Sequence, residues 1–139
     1  MSDYCYVDTN VILSFVEQDA NYERAREIVE ERRGKLVTGE VTLLELSSFY
    51  SRKLKDDVLA KASVKYALKV CNVELVEIDF NRLFEKALQL SPRLKLKTLD
   101  VLQVVSASLV KASVFITFDK DIIAKEEIVN RVLGLNIVH

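Results

Sequence analysis

The sequence predicts an α/β protein whose parallel β-sheet is covered by helices on both faces. Three observations predict it. Short apolar runs alternate with longer segments of helical spacing along the whole chain, and strands interleaved with helices imply parallel strands joined by crossovers. Two of those runs stop abruptly at an aspartate, Asp8 and Asp119, with a helix starting at once. Half of the 139 residues are hydrophobic and 29% are charged, with only three Gly and one Pro. That composition fits one domain over residues 1–139, without linker, repeat or low-complexity tract.

Tyr4-Cys5-Tyr6-Val7 reads as a buried strand whose carboxyl end presents Asp8. In open α/β sheets the crevice beyond the carboxyl ends of the strands is where ligands bind. The plainer alternative is that Asp8, Thr9 or Asn10 caps the helix expected over residues 10–17. Asn21 then precedes Tyr22, Ala25, Ile28 and Val29, a helix running to about Arg33 with Gly34 as its stop. Leu36 to Thr38 form a second strand, and Gly39 turns the chain. Residues 40–54 form a helix with Leu43, Leu46, Tyr50 and Leu54 in one stripe and Glu45 beside it. On its own, Glu45 reads equally as a solvated helix-margin residue.

After Asp56 and Asp57 comes a helix carrying Val58, Leu59, Ala62, Tyr66 and Val70. Val73 to Ile78 reads as a third strand. Asp79 caps a helix with Leu83, Phe84, Ala87 and Leu88, which Ser91-Pro92 is expected to end. Arg93, Lys95 and Lys97 alternate with Leu94 and Leu96, as in an extended segment with one basic face. Thr98 is the expected cap of a helix from Leu99 to Val110 that is apolar on nearly every side. Such a helix should be buried, so Asp100 in its first turn is unusual, unless it only complements the helix dipole. Ala112 to Thr117 reads as a fourth strand, followed by Asp119 and Asp121, either of which could cap the helix of Ile122 and Ile123. Leu135 to Val138 is the last strand.

Composition excludes several chemistries. The formal net charge is −1, so bulk positive charge does not drive binding to nucleic acid. The one histidine is the last residue, His139, which leaves no candidate for a histidine base. Cys5 and Cys71 are isolated and do not form a zinc motif. No apolar run reaches the ~20 residues of a membrane span, and Met1-Ser2-Asp3 does not begin a signal peptide, so a cytoplasmic protein is expected.

The remaining catalytic vocabulary is carboxylates. Asp8 and Asp119 end strands, and Glu45 and Asp100 lie near helix starts. Carboxylates held together repel, and without a cation at least one stays protonated. A hard divalent cation such as Mg²⁺ removes the conflict, typically with a few carboxylates and several waters. Such a site can activate water and neutralise charge on a phosphodiester.

These segments resemble a known family. Val7-Asp8-Thr9-Asn10-Val11, Thr42-Leu43-Leu44-Glu45-Leu46, Leu99-Asp100-Val101-Leu102-Gln103-Val104-Val105-Ser106-Ala107 and Ile116-Thr117-Phe118-Asp119-Lys120-Asp121 look like the motifs of PIN-domain ribonucleases, in the same order. The chain is most similar to the VapC toxins of toxin–antitoxin pairs. The resemblance implies a three-layer α/β/α sandwich with a central parallel sheet. It implies that Asp8, Glu45, Asp100 and Asp119 gather around Mg²⁺ or Mn²⁺, with Thr117 holding an acid through its hydroxyl and Asn10 supporting Asp8. It further implies a homodimer, an RNA substrate and a small antitoxin partner. One departure is that Leu96-Lys97-Thr98-Leu99 lacks the proline often found before this helix, which bears on substrate choice.

The expected activity is therefore a metal-dependent endoribonuclease acting on single-stranded or structured RNA, leaving a 5′-phosphate and a 3′-hydroxyl. Asp8, Asp100 and Asp119 would bind the metal, and Glu45 would complete the set or orient the attacking water. Arg93, Lys95 and Lys97 are candidates for phosphate contacts, or ordinary solvated surface. Two alternatives differ in kind. An aspartyl-phosphate phosphatase would need a second aspartate two residues after the first, and that position is Asn10. A non-catalytic PIN-like scaffold in an RNA-processing complex would not need four acids.

Overall fold

The computed structural model describes residues 3–139. The expectation of no signal segment falls partly on Met1 and Ser2, which lie outside the described residues. The chain runs β1 (Cys5–Val7), α1 (Thr9–Glu17), α2 (Tyr22–Glu31), β2 (Leu36–Thr38), α3 (Glu40–Leu54), α4 (Asp57–Val70), β3 (Glu74–Leu75), α5 (Phe80–Leu94), α6 (Thr98–Leu109), β4 (Val114–Ile116), α7 (Lys120–Ile123), α8 (Glu126–Leu133) and β5 (Asn136–Val138). The sheet has the order β3-β2-β1-β4-β5, with every pairing parallel. The direction of strand addition reverses between β1 and β4, which makes their carboxyl ends the switch point where open sheets bind ligands.

Alternation along the strands builds two cores. Cys5, Val7, Leu36 and Ile116 pack on one face with α1 to α4, while Tyr6, Val37, Phe115 and Ile137 pack on the other with α5, α6 and α8. A strand's side chains point to opposite faces in turn, so three-residue strands buried on both sides read as unbroken apolar runs. Tyr6 and Phe115, opposite each other in the β1–β4 register, stack at 5.6 Å. The result is a three-layer α/β/α sandwich.

Several expectations need correction. The third strand covers only Glu74 and Leu75, both exposed, rather than Val73 to Ile78. It is an edge strand beside the three-residue β2; the Val76 N–H still donates to the Thr38 carbonyl at 2.9 Å, and the Ile78 N–H, beyond the ladder, donates to Glu40 Oε1 at 3.0 Å. Pro92 does not end its helix, which continues to Leu94. Proline there removes only the bond to the Leu88 carbonyl, on a turn whose Leu88 side chain is exposed, while Leu94 is fully buried and draws the last turn inward. Residues 93–97 are therefore not extended: Arg93 is helical, Lys95 is a left-handed C-cap with φ 54°, and Lys97 rather than Thr98 is the N-cap of α6. Helix α8 also forms where no element was expected. Its signal was present as Ile128, Val129, Val132 and Leu133 before Gly134, which closes the helix at φ +69°.

Gly39 sits at the tight point between β2 and α3. A Cβ there would lie 2.7 Å from Ile78 Cδ1 and 3.0 Å from the Tyr6 hydroxyl. Gly39→Ala is expected to destabilise by about 1–3 kcal/mol through overpacking, measured as a lower urea midpoint at unchanged m-value.

Candidate metal centre

The β1–β4 register sets Val7 opposite Ile116, so the next residues, Asp8 and Thr117, leave the sheet side by side. The Asp8 backbone N–H still donates to the Ile116 carbonyl at 2.9 Å. The Asp8 side chain divides its two oxygens. Oδ1 accepts the Thr9 N–H at 2.8 Å and caps α1, while Oδ2 accepts the Thr117 hydroxyl at 2.8 Å. The capping reading of Asp8 thus holds through Oδ1, while Oδ2 faces Thr117.

Asn10 and Thr117 form a clasp around this strand end. Asn10 Nδ2 lies 3.4 Å from both Asp8 Oδ2 and Thr117 Oγ1, and Asn10 Oδ1 accepts the Phe118 N–H at 3.1 Å. Thr117 Oγ1 in turn accepts the Asp119 N–H at 2.9 Å. Asp119 caps α7 by accepting the Asp121 N–H on Oδ1 at 2.8 Å.

Asp100 reaches the same edge because of chain direction. Only residues 110–113 separate α6 from β4, so the helix must run antiparallel to that strand and start at its carboxyl end. Carboxylate oxygens of Asp100, Asp119 and Asp121 lie within 4.8 Å of one another. Asp121 was foreseen only as a helix cap, and a cap two residues beyond Asp119 turns out to share the acids' side.

Glu45 lies one turn into α3. Its Oε1 accepts Gln103 Nε2 at 2.6 Å and the Thr9 hydroxyl at 2.9 Å. Glu45 is an electrostatic neighbour of both Asp8 and Asp100. Gln103 and Thr9 escaped the sequence reading as partners of Glu45. Gln103 follows Asp100 by three residues and so shares its helix face.

Of the basic candidates, Lys97 is at the site: Nζ lies 3.7 Å from Asp121 Oδ2, both side chains being largely exposed. Arg93 and Lys95 are exposed at the α5–α6 turn, and among the described residues neither makes an ion pair with the acids.

The electrostatics follow from burial and crowding. Asp8 is only 6% exposed. Loss of water, together with the charges of Glu45 and Asp100, pushes its carboxyl up to about 7 despite the Thr117 and Thr9 hydrogen bonds. Burial pushes Asp100 up to about 6, reinforced by Asp119, Asp121 and Glu45 and opposed by Lys97. A set of hard oxygen donors with excess negative charge and little local counter-charge fits a divalent cation such as Mg²⁺ or Mn²⁺.

The comparisons agree with this architecture. No curated protein shows significant similarity to this sequence. Among solved structures, the chain is similar to a toxin–antitoxin complex from Klebsiella pneumoniae at 17% identity, with 94% of each chain covered and a TM-score of 0.66. It is similar to VapBC2 from Rickettsia felis bound to a promoter DNA fragment, at 15% identity, 97% of each chain and a TM-score of 0.66. It is also similar to DNA-bound VapBC from Salmonella typhimurium, at 17% identity, 99% of this chain and 98% of that one, with a TM-score of 0.69. At such identities the likeness is one of fold. No helix among the described residues is long and apolar enough to cross a membrane. The PIN domain model matches residues 5–128, which is nearly the whole sequence, and this chain belongs to the PIN domain family.

Proposed function

We propose that this chain is a metal-dependent endoribonuclease, a single PIN nuclease domain that hydrolyses phosphodiester bonds of single-stranded or structured RNA. The observation that carries the reading is the convergence of carboxylates from four separate segments on one sheet edge, with Asp100, Asp119 and Asp121 within 4.8 Å. Asp8, Asp100 and Asp119 would hold Mg²⁺ or Mn²⁺, with Asp121 and Glu45 completing the set. When bound, the cation would polarise water and offset the charge that builds up on phosphorus.

The chain's own residues supply the rest. Thr117 and Thr9 N–H hold the Asp8 carboxylate in one orientation. Asn10 ties the α1 start to the segment after β4, so Asp8 and Asp119 keep their spacing. Glu45, whose Oε1 is held by Gln103 and Thr9, would complete the set or orient the attacking water. Lys97 can exchange its exposed contact with Asp121 for a substrate phosphate; Arg93 and Lys95 lie further along the same turn. An attack in line would leave a 5′-phosphate and a 3′-hydroxyl.

The same reading makes the protein the cytoplasmic toxin of a VapBC-type pair, as a homodimer whose site is blocked by a small antitoxin. Support comes from the three toxin–antitoxin structures that share its fold. The expected result is cleavage of single-stranded RNA by the purified chain with Mn²⁺, stopped by a chelator and restored by excess metal. Gel analysis that finds no Mn²⁺-dependent cleavage of any RNA tested overturns the reading.

A further inference from the structure

Gln103 is only 1% exposed, on a helix whose other buried residues are Val101, Val104, Val105, Ser106 and Ala107. A buried amide is costly unless hydrogen-bonded. Its bonds do not serve the backbone of its own helix. Nε2 donates to Glu45 Oε1 at 2.6 Å, with Thr42 Oγ1 at 3.0 Å and Thr9 Oγ1 at 3.2 Å also in reach. Oε1 accepts the Tyr6 hydroxyl at 2.7 Å and lies 3.3 Å from Thr42 Oγ1.

The orientation of the amide is fixed by its partners. The Tyr6 hydroxyl already accepts the Gly39 N–H at 3.1 Å and has its proton to give. An ionised Glu45 can only accept. The amide oxygen must therefore face Tyr6 and the amide nitrogen Glu45. A leucine or methionine would fill the same core volume but would leave the buried Tyr6 and Thr42 hydroxyls without this amide, so the glutamine joins those groups and Glu45 in one network.

We propose that Gln103 is a positioning residue for Glu45: with Thr9 it occupies Oε1, leaving Oε2 as the single oxygen that Glu45 presents to a bound metal or its water. The proposal rests on the metal-dependent reading of the site. Helix α6 then has two tasks on one face, contributing Asp100 directly and steadying Glu45 through Gln103.

Calorimetric titration of the full chain with Mn²⁺ tests it. Gln103→Met keeps volume and flexibility and is expected to bind Mn²⁺ about 10–100-fold more weakly, the usual effect of removing a group behind a ligand. In a Glu45→Ala background the same substitution is expected to change affinity by less than about twofold, because a partner acting through Glu45 has nothing left to hold. A merely structural role would cost the same in both backgrounds. Tyr6→Phe removes the hydroxyl that orients the amide, together with its bond from the Gly39 N–H, and gives the same comparison between the two backgrounds if Gln103→Met does not fold. No Mn²⁺ binding by the wild type overturns the metal reading and this proposal with it. Wild-type binding with equal affinity in Gln103→Met, or an equal loss with and without Glu45, overturns the proposal alone.

Discussion

Asp100→Asn is expected to lower Mn²⁺-dependent cleavage of single-stranded RNA by more than about 100-fold, because even a group behind a metal ligand is worth about 10–100-fold. The substitution keeps shape and removes one charge. Asp100 carries the most crowded carboxylate of the site: burial raises it, then Asp119, Asp121 and Glu45, with Lys97 alone opposing. Removing that charge relieves repulsion in the metal-free protein. Asp100 is only half-buried, so after allowance for solvent screening the gain in stability at pH 8 is on the order of 1 kcal/mol. Activity and stability thus move in opposite directions, which a misfolded variant cannot do. Equal cleavage rates for wild type and Asp100→Asn, measured on the same RNA, would remove Asp100 from the mechanism.

The second large effect concerns Asp8 and pH. Its carboxyl stands at about 7 in the folded chain against an ordinary 3.8, so the folded state binds this proton more tightly than the unfolded state does. The contribution to stability is complete below about pH 4, declines as pH rises, and is gone above about pH 7. The shift bounds the loss at about 4 kcal/mol, or a fall in Tm of roughly 10 °C for a chain of this size. The metal-free protein is therefore expected to melt higher at pH 5 than at pH 8, and Asp8→Asn is expected to flatten that difference and melt higher at pH 8.

Metal inverts the trend. Bound Mn²⁺ needs the carboxylates ionised, and at a hundredfold excess over Kd it adds about 3 kcal/mol. Its stabilisation should appear at pH 8, fade towards pH 5 and vanish in Asp8→Asn. Scanning calorimetry with and without Mn²⁺ measures all three. A metal-free Tm that is level or rising from pH 5 to pH 8 would show that Asp8 is not the crowded, water-poor acid the fold makes it.

Much of this site is written locally. The abrupt stops at Asp8 and Asp119 mark strand ends, and a strand end in a parallel sheet faces the crevice whatever the rest of the chain does. Asp100 stands out because it interrupts an apolar helix. The misplaced features have a common cause. Pro92 and the alternation of Arg93, Lys95 and Lys97 follow local rules, but the buried Leu94 and an exposed turn at Leu88 decide that stretch. The two-residue β3 keeps one further bond, from the Val76 N–H to Thr38, and Glu40, far back in the chain, then takes the Ile78 N–H.

The sequence by itself determined the parallel sheet between two helical layers, because apolar period and abrupt polar stops are properties of neighbouring residues. Only the tertiary structure decided that Asp121 joins Asp100 and Asp119, that Lys97 alone of the three basic residues meets the acids, and that Gln103 reaches across to Glu45. Those relations depend on how helices are turned against the sheet. A rotation of one residue would point each side chain elsewhere, and no run of neighbouring letters records that angle.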